Sequence, residues 1–195
     1  MAMTADDFWR WMAAGGDELL ASPGAVVADR IEEQLREIDP RLGVEVADPG
    51  ESRELVITAW SRAEAFPVVR ELVAAAPPLP GWRILALKPP RGFDFGINVD
   101  GLRIDARELT FDPLAAAENP KLLGIRVYVP SASDDDDPRL GRALPLIIEA
   151  GIGEEAAAQI DHTDAAAGPA PHEGALPIDQ LLPYVQWHRR KHQLG

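Results

Sequence analysis

Apolar residues recur along this chain with two different periods, and this contrast constrains the fold more than any other feature. Between residues 23 and 38 they return every three or four positions, which is typical of one face of an α-helix. Between residues 93 and 99 they alternate with glycine or polar residues, which is typical of a half-buried strand. Asp100-Gly101 follows at once and favours a two-residue turn between paired strands. The chain therefore has to combine helices with hairpins, and we predict an α+β fold.

The remaining elements follow from the same two periods. Helices are predicted over residues 6–14, 23–38, 65–76, 138–151 and 178–192, with Thr4–Asp7 and Ser61–Glu64 as capping boxes and Ser22 as the cap of the second helix. Strands are predicted over residues 42–47, 53–60, 82–88, 93–99, 102–111, 122–129 and 156–162, and loops over 112–121 and 164–175. Because residues 82–88 are apolar on both faces, that strand is expected at the centre of a sheet.

The order of these elements predicts one layered domain. Segments 53–88 and 122–163 both follow the order strand, helix, strand, which favours a mainly antiparallel sheet with helices packed on one face. A finer alternative is a ferredoxin-like arrangement of two such units with an extra hairpin between them. We interpret residues 1–195 as a single α+β domain: N-terminal helices over 1–40, a sheet with two helices over 41–163, and a loop with a C-terminal helix over 164–195.

Composition excludes several classes of function. The chain has 32 acidic and 19 basic residues, a net charge of −13, and therefore no electrostatic footprint for nucleic acid. It has no cysteine, which excludes disulfide scaffolds, thiolate zinc sites and thiol nucleophiles. No apolar run reaches the roughly 20 residues of a membrane span, and no signal peptide is recognised. We expect a cytoplasmic protein, and the abundance of alanine, arginine, glycine and proline favours a bacterial source.

The sequence holds no recognisable catalytic or metal-binding constellation. His188 and His192 stand four residues apart, but three cations lie between them and repel a metal ion. The basic run 188–192 is interpreted as a solvated helix end that complements the helix dipole. The acidic run 134–137 is interpreted in the same way, as a solvated loop that enters a helix. No metal and no cofactor are predicted.

Two groups of residues are candidates for a binding surface. Trp9 and Trp11 diverge by about 200° around a helix, so one can be buried while the other marks a partner surface; the alternative is that both belong to the core. Lys88 and Arg91 bracket a stiff Pro-Pro turn that can hold a carboxylate or a phosphate. The alternative for this pair is a rigid turn with two exposed bases.

Two motifs carry a resemblance to a known family. Phe8-Trp9-x-Trp11 near the N-terminus comes first, followed by a motif that places Phe, Pro, Val, Leu and Trp at fixed offsets over residues 66–82. In this combination the chain resembles an uncharacterised bacterial protein family with an FWxW N-terminus and an FPxVxxLVxxAPxLPxW motif. The resemblance covers most of the chain and implies one cytoplasmic α+β domain. It implies no catalytic residue, because that family has no established activity.

Three functions compete on this evidence. We favour a non-enzymatic binding or interaction protein, because the catalytic constellation is missing and the N-terminal helix bears two tryptophans. A first alternative is a hydrolase or transferase whose acid and base come from Asp94, Asp105, Glu108 and Asp112, on or beside the central hairpin. A second alternative is a homodimeric scaffold that pairs two copies through exposed strand edges. The predicted partner is therefore a protein or a second copy of the chain.

Overall fold

The computed structural model describes residues 3–115 and 118–192. Its Cα packing divides the chain into two compact units, Met1–Lys88 and Pro89–Gly195, whereas the sequence analysis treats the chain as one domain. Each unit contains helices and strands, which confirms the predicted α+β class. The units are described one after the other.

The first unit begins with two short helices. Helix α1 spans Ala5–Ala14, and its predicted capping box is confirmed: the Thr4 hydroxyl accepts the Asp7 N–H at 3.2 Å while the Asp7 carboxylate accepts the Thr4 N–H at 3.2 Å. Helix α2, Gly16–Ala21, was not predicted. The first helix is predicted to end at residue 14 and the next to begin at residue 23, but the chain resumes helical geometry directly after Gly15.

Helix α3 spans Gly24–Ile38 and buries the predicted apolar stripe. The predicted cap at Ser22 is wrong. Pro23 holds the N-cap position without a side-chain hydrogen bond, and the Ser22 hydroxyl donates to the carbonyl of Glu18 at 2.8 Å. The unpredicted helix α2 explains this difference, because it provides a nearby carbonyl oxygen for the serine hydroxyl.

A three-stranded sheet completes the first unit. Strands β1 (Gly43–Ala47) and β2 (Arg53–Thr58) form the predicted antiparallel hairpin, and β3 (Trp82–Ala86) pairs parallel to β2. The sheet order is β1-β2-β3, so the prediction that the strand from Trp82 is central is wrong. The central strand is β2, which is buried from Glu54 to Thr58, while β3 is half-buried with one exposed residue.

Helix α4 spans Phe66–Ala74 and provides the crossover between the parallel strands β2 and β3. A 3-10 turn over Ala63–Ala65 precedes it, and Pro67 lies in the first helical turn, where a missing N–H leaves no bond unmade. The predicted capping box of Ser61 and Glu64 is wrong, because Ala65 occupies the N-cap and no side chain caps the helix.

In the second unit, a hairpin comes first. Strands β4 (Gly96–Val99) and β5 (Leu102–Asp105) pair antiparallel around Asp100 and Gly101, whose φ angles of 48° and 85° confirm the predicted turn. The return strand was predicted to continue to residue 111. A 3-10 turn over Ala106–Glu108 interrupts it instead, and the chain then enters a different sheet.

A four-stranded sheet follows, in the order β8-β7-β6-β9. Its strands are β6 (Thr110–Ala115), β7 (Leu123–Val129), β8 (His162–Ala167) and β9 (Leu176–Pro177). The loop predicted over residues 112–121 is therefore wrong in its first part, which is strand; residues 116–117 lie outside the described part. The loop predicted over 164–175 is wrong in the same way, because β8 continues to Ala167.

Helices complete the second unit. Helix α5 spans Pro138–Ile152 with Asp137 as its cap, and the short helix α6, Glu154–Ala157, occupies part of the segment that was predicted as a final strand. Helix α7 spans Leu181–His192 after a 3-10 turn over Ile178–Gln180, which confirms the predicted C-terminal helix up to its last described residue. The core of this unit centres on α5 and β7, including Ile125, Val127 and Ile147, each fully buried.

The first predicted strand-helix-strand segment is present, and the second has its last strand at His162–Ala167 in place of 156–162; each pairs its two strands in parallel. Four of the six strand pairings among the described residues are antiparallel, as predicted. The ferredoxin-like alternative requires one continuous sheet, whereas the described strands form three sheets. No helix in the described part of the chain combines the length and apolarity that crossing a bilayer requires.

Candidate functional site

The two tryptophans that were singled out from the sequence lie in the first unit and differ in burial. Trp9 is 2% exposed, and its indole N–H donates to the carbonyl of Leu72 at 2.8 Å. Trp11 is half-buried. The ring of Phe8 lies against both, with ring centres 4.7 Å from Trp9 and 6.1 Å from Trp11. The structure therefore gives Trp9 a role in the core of this unit, and the binding role of the pair stays a prediction.

Lys88 is engaged within the first unit. Its ammonium group lies 2.7 Å from the Glu45 carboxylate and 4.1 Å above the ring of Trp60, and its side chain is only 10% exposed. An anion that approaches Lys88 would have to compete with that carboxylate. Arg91 belongs to the second unit, where its backbone N–H donates to the carbonyl of Ala150 at 3.0 Å and its side chain is exposed.

The carboxylates of the enzyme hypothesis do not converge as a group. Asp94 and Asp105 both contact the guanidinium of Arg107, at 3.3 Å and 2.7 Å, and the hydrogen bond from Arg107 lowers the pKa of Asp105. Asp112 lies in β6 with different partners. Because the hydrogen bond from Arg107 favours the ionised form of Asp105, that carboxyl group is poorly suited to hold a proton for transfer.

Asp112 is the centre of a polar cluster on one face of the second sheet. Its Oδ2 accepts hydrogen bonds from the Tyr128 hydroxyl and from His172 Nε2, both at 2.8 Å. Burial acts to raise the pKa of Asp112, but the two hydrogen bonds outweigh it, so this pKa lies below its usual value. The hydrogen bond between the Tyr128 hydroxyl and Asp112 raises the pKa of Tyr128. Asp112 is therefore a charged acceptor that fastens His172 to the sheet.

This cluster lacks a ring nitrogen that is available for proton transfer. The backbone N–H of Gly174 donates to His172 Nδ1 at 3.0 Å, while Nε2 faces Asp112. Since Nδ1 accepts a hydrogen bond, the neutral ring carries its proton on Nε2. A general base needs one nitrogen directed at a substrate, and both nitrogens of His172 are occupied by the protein. This geometry suits a structural role, in which His172 anchors the segment between β8 and β9 to the sheet.

A pocket of about 180 Å³ lies beside α7 in the second unit. Its apolar part comes from β6, the start of β7 and the residues just before β7: Pro113, Leu114, Pro120, Leu122 and Leu123. Two of these differ sharply in burial, since Leu123 is 3% exposed and Leu122 is 44% exposed. The pocket therefore has a fixed floor and an apolar rim that faces solvent.

One face of α7 supplies the opposite wall: Tyr184, Trp187, His188, Lys191 and His192. These positions are spaced three and four residues apart, which brings them onto the same side of a helix. The rings of Tyr184 and Trp187 lie 5.4 Å apart, and the Lys191 ammonium lies 4.6 Å from the ring centre of Trp187. An aromatic surface and a cation therefore meet at the pocket edge.

The two histidines in this wall have different surroundings. His188 is buried, and its Nε2 lies 3.2 Å from the carbonyl of Pro120, which ties α7 to the segment that leads into β7. The ring of His192 lies 4.6 Å from that of His188. Desolvation lowers the pKa of His192, and repulsion from His188, Lys191 and Lys121 lowers it further.

This α7 pocket, defined by its β6–β7 floor and its helical wall, is the candidate functional site. The large apolar side chains exposed in the described residues are Val26, Trp60, Leu122, Leu146 and Trp187. Leu122 and Trp187, each 44% exposed, line the same pocket. Exposed apolar groups that converge beside a cation are typical of a surface that binds a partner.

The sequence analysis missed this site because it treated the basic run 188–192 as a solvated helix end. A usable signal was present: Tyr184, Trp187, His188 and Lys191 follow a spacing of three, one and three residues, as on one helical face. The contribution of Leu122 had no local signal, because this residue lies just before β7, about 65 positions from Trp187 along the chain. No cluster of three or more potential metal ligands occurs in the part of the chain that the structure describes.

The chain matches no protein-family model, no curated protein and no solved structure. The resemblance to an uncharacterised bacterial family therefore stays a prediction. The structure gives several residues of its second motif a packing role: Phe66, Val69 and Leu72 of α4 are all buried. Packing alone accounts for apolar residues at this spacing.

Proposed function

We propose that this protein is a non-enzymatic interaction protein that binds a partner protein through the α7 pocket. The observation that carries the proposal is that the exposed side chains of Leu122 and Trp187 line one pocket, with Lys191 beside them. Tryptophan is enriched among the residues that dominate binding energy at protein interfaces. The net charge of −13 argues against nucleic acid as the partner. The lack of cysteine and the overall composition support a place in the bacterial cytoplasm.

The size of the pocket favours a protein over a small molecule. Sites for small ligands and cofactors typically enclose about 300–1,000 Å³. The α7 pocket measures about 180 Å³, which is enough for one large side chain. A protein partner can insert one side chain there and gain further affinity from the surrounding surface. A second argument against the enzyme alternative concerns Asp112. Its partner His172 has both ring nitrogens in hydrogen bonds within the protein, so the pair has no ring nitrogen directed at a substrate.

A pair of leucine variants tests the proposal. Leu122→Ala removes an apolar side chain from the pocket rim, and Leu146→Ala removes the same chemical group from α5 at a position that is 58% exposed and does not line this pocket. Photo-cross-linking from position 190, which is exposed and does not line the pocket, followed by mass spectrometry, identifies the bound protein, and its affinity is then measured for both variants. We expect Leu122→Ala to weaken binding about tenfold, or about 1.4 kcal/mol, and Leu146→Ala to change it less than twofold.

Light scattering distinguishes this proposal from the homodimeric scaffold. If the chain is a stable dimer at micromolar concentration and Leu122→Ala converts it to a monomer, the partner is a second copy. If Leu122→Ala and Trp187→Ala leave every identified interaction unchanged while both variants stay folded, the proposed function is wrong.

A further inference from the structure

The chemistry of the α7 pocket identifies the class of partner segment that it fits. Resting on the function proposed above, we infer that the partner presents an acidic segment in which one aliphatic side chain enters the pocket and neighbouring carboxylates meet Lys191 and Lys121. Three observations lead to this class of partner segment. They are the size of the pocket, the contrast between the basic residues beside it and the acidic chain as a whole, and the position of Lys191 beside the ring of Trp187.

Size selects a single anchor side chain. The floor is apolar and is closed by Leu123, which is 3% exposed, so a group that enters the pocket loses contact with water. A volume of about 180 Å³ accommodates one leucine, isoleucine or methionine side chain but no second residue. A polar anchor that reached the floor would lose hydrogen bonds to water, and the prolines and leucines there return none, since the polar groups of the pocket lie on the α7 wall. An aliphatic anchor fits this floor.

Charge selects the residues beside the anchor. The chain carries 13 more acidic than basic residues, yet residues 188–192 contain two arginines and a lysine, and Lys121 lies close enough to repel a positive charge on His192. An acidic segment is repelled by most of the protein surface and attracted at this pocket. A basic segment meets the opposite pattern, with repulsion at the pocket and attraction elsewhere. The local field thus directs an acidic partner to this site.

The position of Lys191 explains why the aliphatic anchor and a carboxylate should be neighbours in the partner segment. Its ammonium group lies 4.6 Å from the ring centre of Trp187, so the cation is held against the aromatic wall. An aliphatic side chain that packs on the exposed ring of Trp187 consequently brings the adjacent residue of its segment to Lys191. A carboxylate at that adjacent position forms an ion pair, and it does so at the edge of an apolar surface that reduces its exposure to water.

Synthetic peptides of matched length test the inference. The acidic peptide is acetyl-Asp-Glu-Leu-Asp-Glu-amide; its controls replace leucine with glycine, or replace the acidic residues with lysine and arginine. Binding is followed by NMR at low salt through the indole N–H signal of Trp187, which is assigned from the spectrum of Trp187→Phe. We expect the acidic leucine peptide to shift this signal and to bind at least tenfold more tightly than either control.

Charge variants of the full chain complete the test. We expect Lys191→Glu to weaken the acidic leucine peptide at least tenfold. Arg190→Glu changes the net charge equally but does not line the pocket, so it removes only a long-range contribution to the field and should weaken the peptide less than threefold. Lys191→Gln should fall between the wild type and Lys191→Glu, and the NMR spectra show that each variant is folded. Raising the salt concentration to 0.5 M should weaken binding several-fold.

The outcomes separate this inference from the function on which it rests. Equal or tighter binding of the basic peptide, or acidic binding that leaves the Trp187 signal unmoved, overturns the acidic-segment inference. The proposed function survives that result when Leu122→Ala still weakens an identified protein partner. If Leu122→Ala changes neither the peptide nor any protein partner, both proposals are wrong.

Discussion

A glycine near the end of helix α5 provides the sharpest test of how the second unit is packed. Gly151 is buried, and a Cβ atom added to it would overlap the ring of Phe93, with Cδ1 only 2.7 Å away. Phe93 is itself 7% exposed and belongs to the core, so its ring has little room to move aside. The close packing between α5 and the segment before β4 therefore requires a residue without a side chain at position 151.

Gly151→Ala sets two effects of opposite sign against each other. Alanine is preferred over glycine inside a helix by up to about 1 kcal/mol, and somewhat less near a helix end. Adding a methyl group to a closely packed core costs about 1–3 kcal/mol through displaced side chains and backbone. Because the overlap involves a buried aromatic ring, we expect the second effect to dominate and the free energy of unfolding to fall by about 1–2 kcal/mol.

The same helix contains a matched control. Gly141 is exposed, and a Cβ atom added there would meet nothing within 4 Å. Gly141→Ala should therefore show the helix preference alone and raise the free energy of unfolding by about 0.5–1 kcal/mol. Urea unfolding at 25 °C, followed by far-ultraviolet circular dichroism, measures both variants, and a double variant with Phe93→Leu tests the contact. That second change should reduce the cost of alanine at position 151 by leaving space for the methyl group.

Either of two results contradicts the prediction for Gly151→Ala. If Gly151→Ala is as stable as the wild type, or if its cost is the same with and without Phe93→Leu, the contact with the ring does not limit this position. A destabilised Gly141→Ala would show instead that the helix preference has been assigned the wrong sign.

Three further predictions concern hydrogen bonds. Trp9→Phe should lower the free energy of unfolding by about 0.5–1.5 kcal/mol, since it removes one of the two donors to the carbonyl of Leu72 and leaves the Ala75 N–H at 3.2 Å; an equal loss in Trp11→Phe would contradict this. Hydrogen bonds from Arg41 lower the pKa of Asp39 from 3.8 to about 2, so its stabilisation is complete above pH 4 and lost as pH falls through 2. Asp39→Asn should lower the free energy of unfolding by about 1 kcal/mol at pH 7, a value that allows for solvent screening of the partly exposed pair. Urea titrations should show this loss becoming progressively smaller as the pH falls below 4. Tyr128→Phe should raise the pKa of Asp112, because it removes a hydrogen bond that lowers it; an unchanged carboxyl titration by NMR would count against the bond.

Some elements were predictable because local spacing is sufficient to define them. Helix α3 has an apolar stripe with a period near 3.6, and burying that stripe stabilises a helix in almost any surroundings. The turn at Asp100-Gly101 needs positive φ angles, which its two residues adopt at low cost. In both cases the determining interaction lies within a few residues of the chain.

Strand β8 shows why other elements were not predictable. Its sequence, from His162 to Ala167, is rich in alanine and has only one β-branched residue, Thr163. What makes it a strand is parallel pairing with β7, including Arg126 opposite Asp164, whose side chains form an ion pair at 2.6 Å. That partner lies 38 residues away, so no local pattern predicts it.

The same limit applied to the choice of a central strand in the first unit. Residues 82–88 are apolar enough for a position with neighbours on both sides, yet β3 has only β2 beside it. The central position belongs to β2, which includes the charged residue Glu54 and the polar residue Thr58, both buried. Arg83 contacts the Glu54 carboxylate at 3.2 Å, which makes a charge on a central strand tolerable. Apolar content alone therefore ranks strands incorrectly when a neighbouring strand supplies the compensating charge.

The basic run at the end of α7 has two physical explanations that make different demands on residue order. Favourable interaction with the helix dipole requires cations anywhere in the last turn, and any order of the residues from His188 to His192 satisfies it. Stacking on Trp187 requires a cation four residues further on, and Lys191 holds that position at 4.6 Å from the ring centre. Exchanging Arg190 and Lys191 with glutamine one at a time separates the explanations: a dipole effect lowers stability equally in both variants, whereas a pocket effect confines the loss of partner binding to Lys191→Gln. Since the observed order puts an aromatic ring, a cation and an exposed leucine around one cavity, the dipole accounts for the presence of the charges but not for their arrangement.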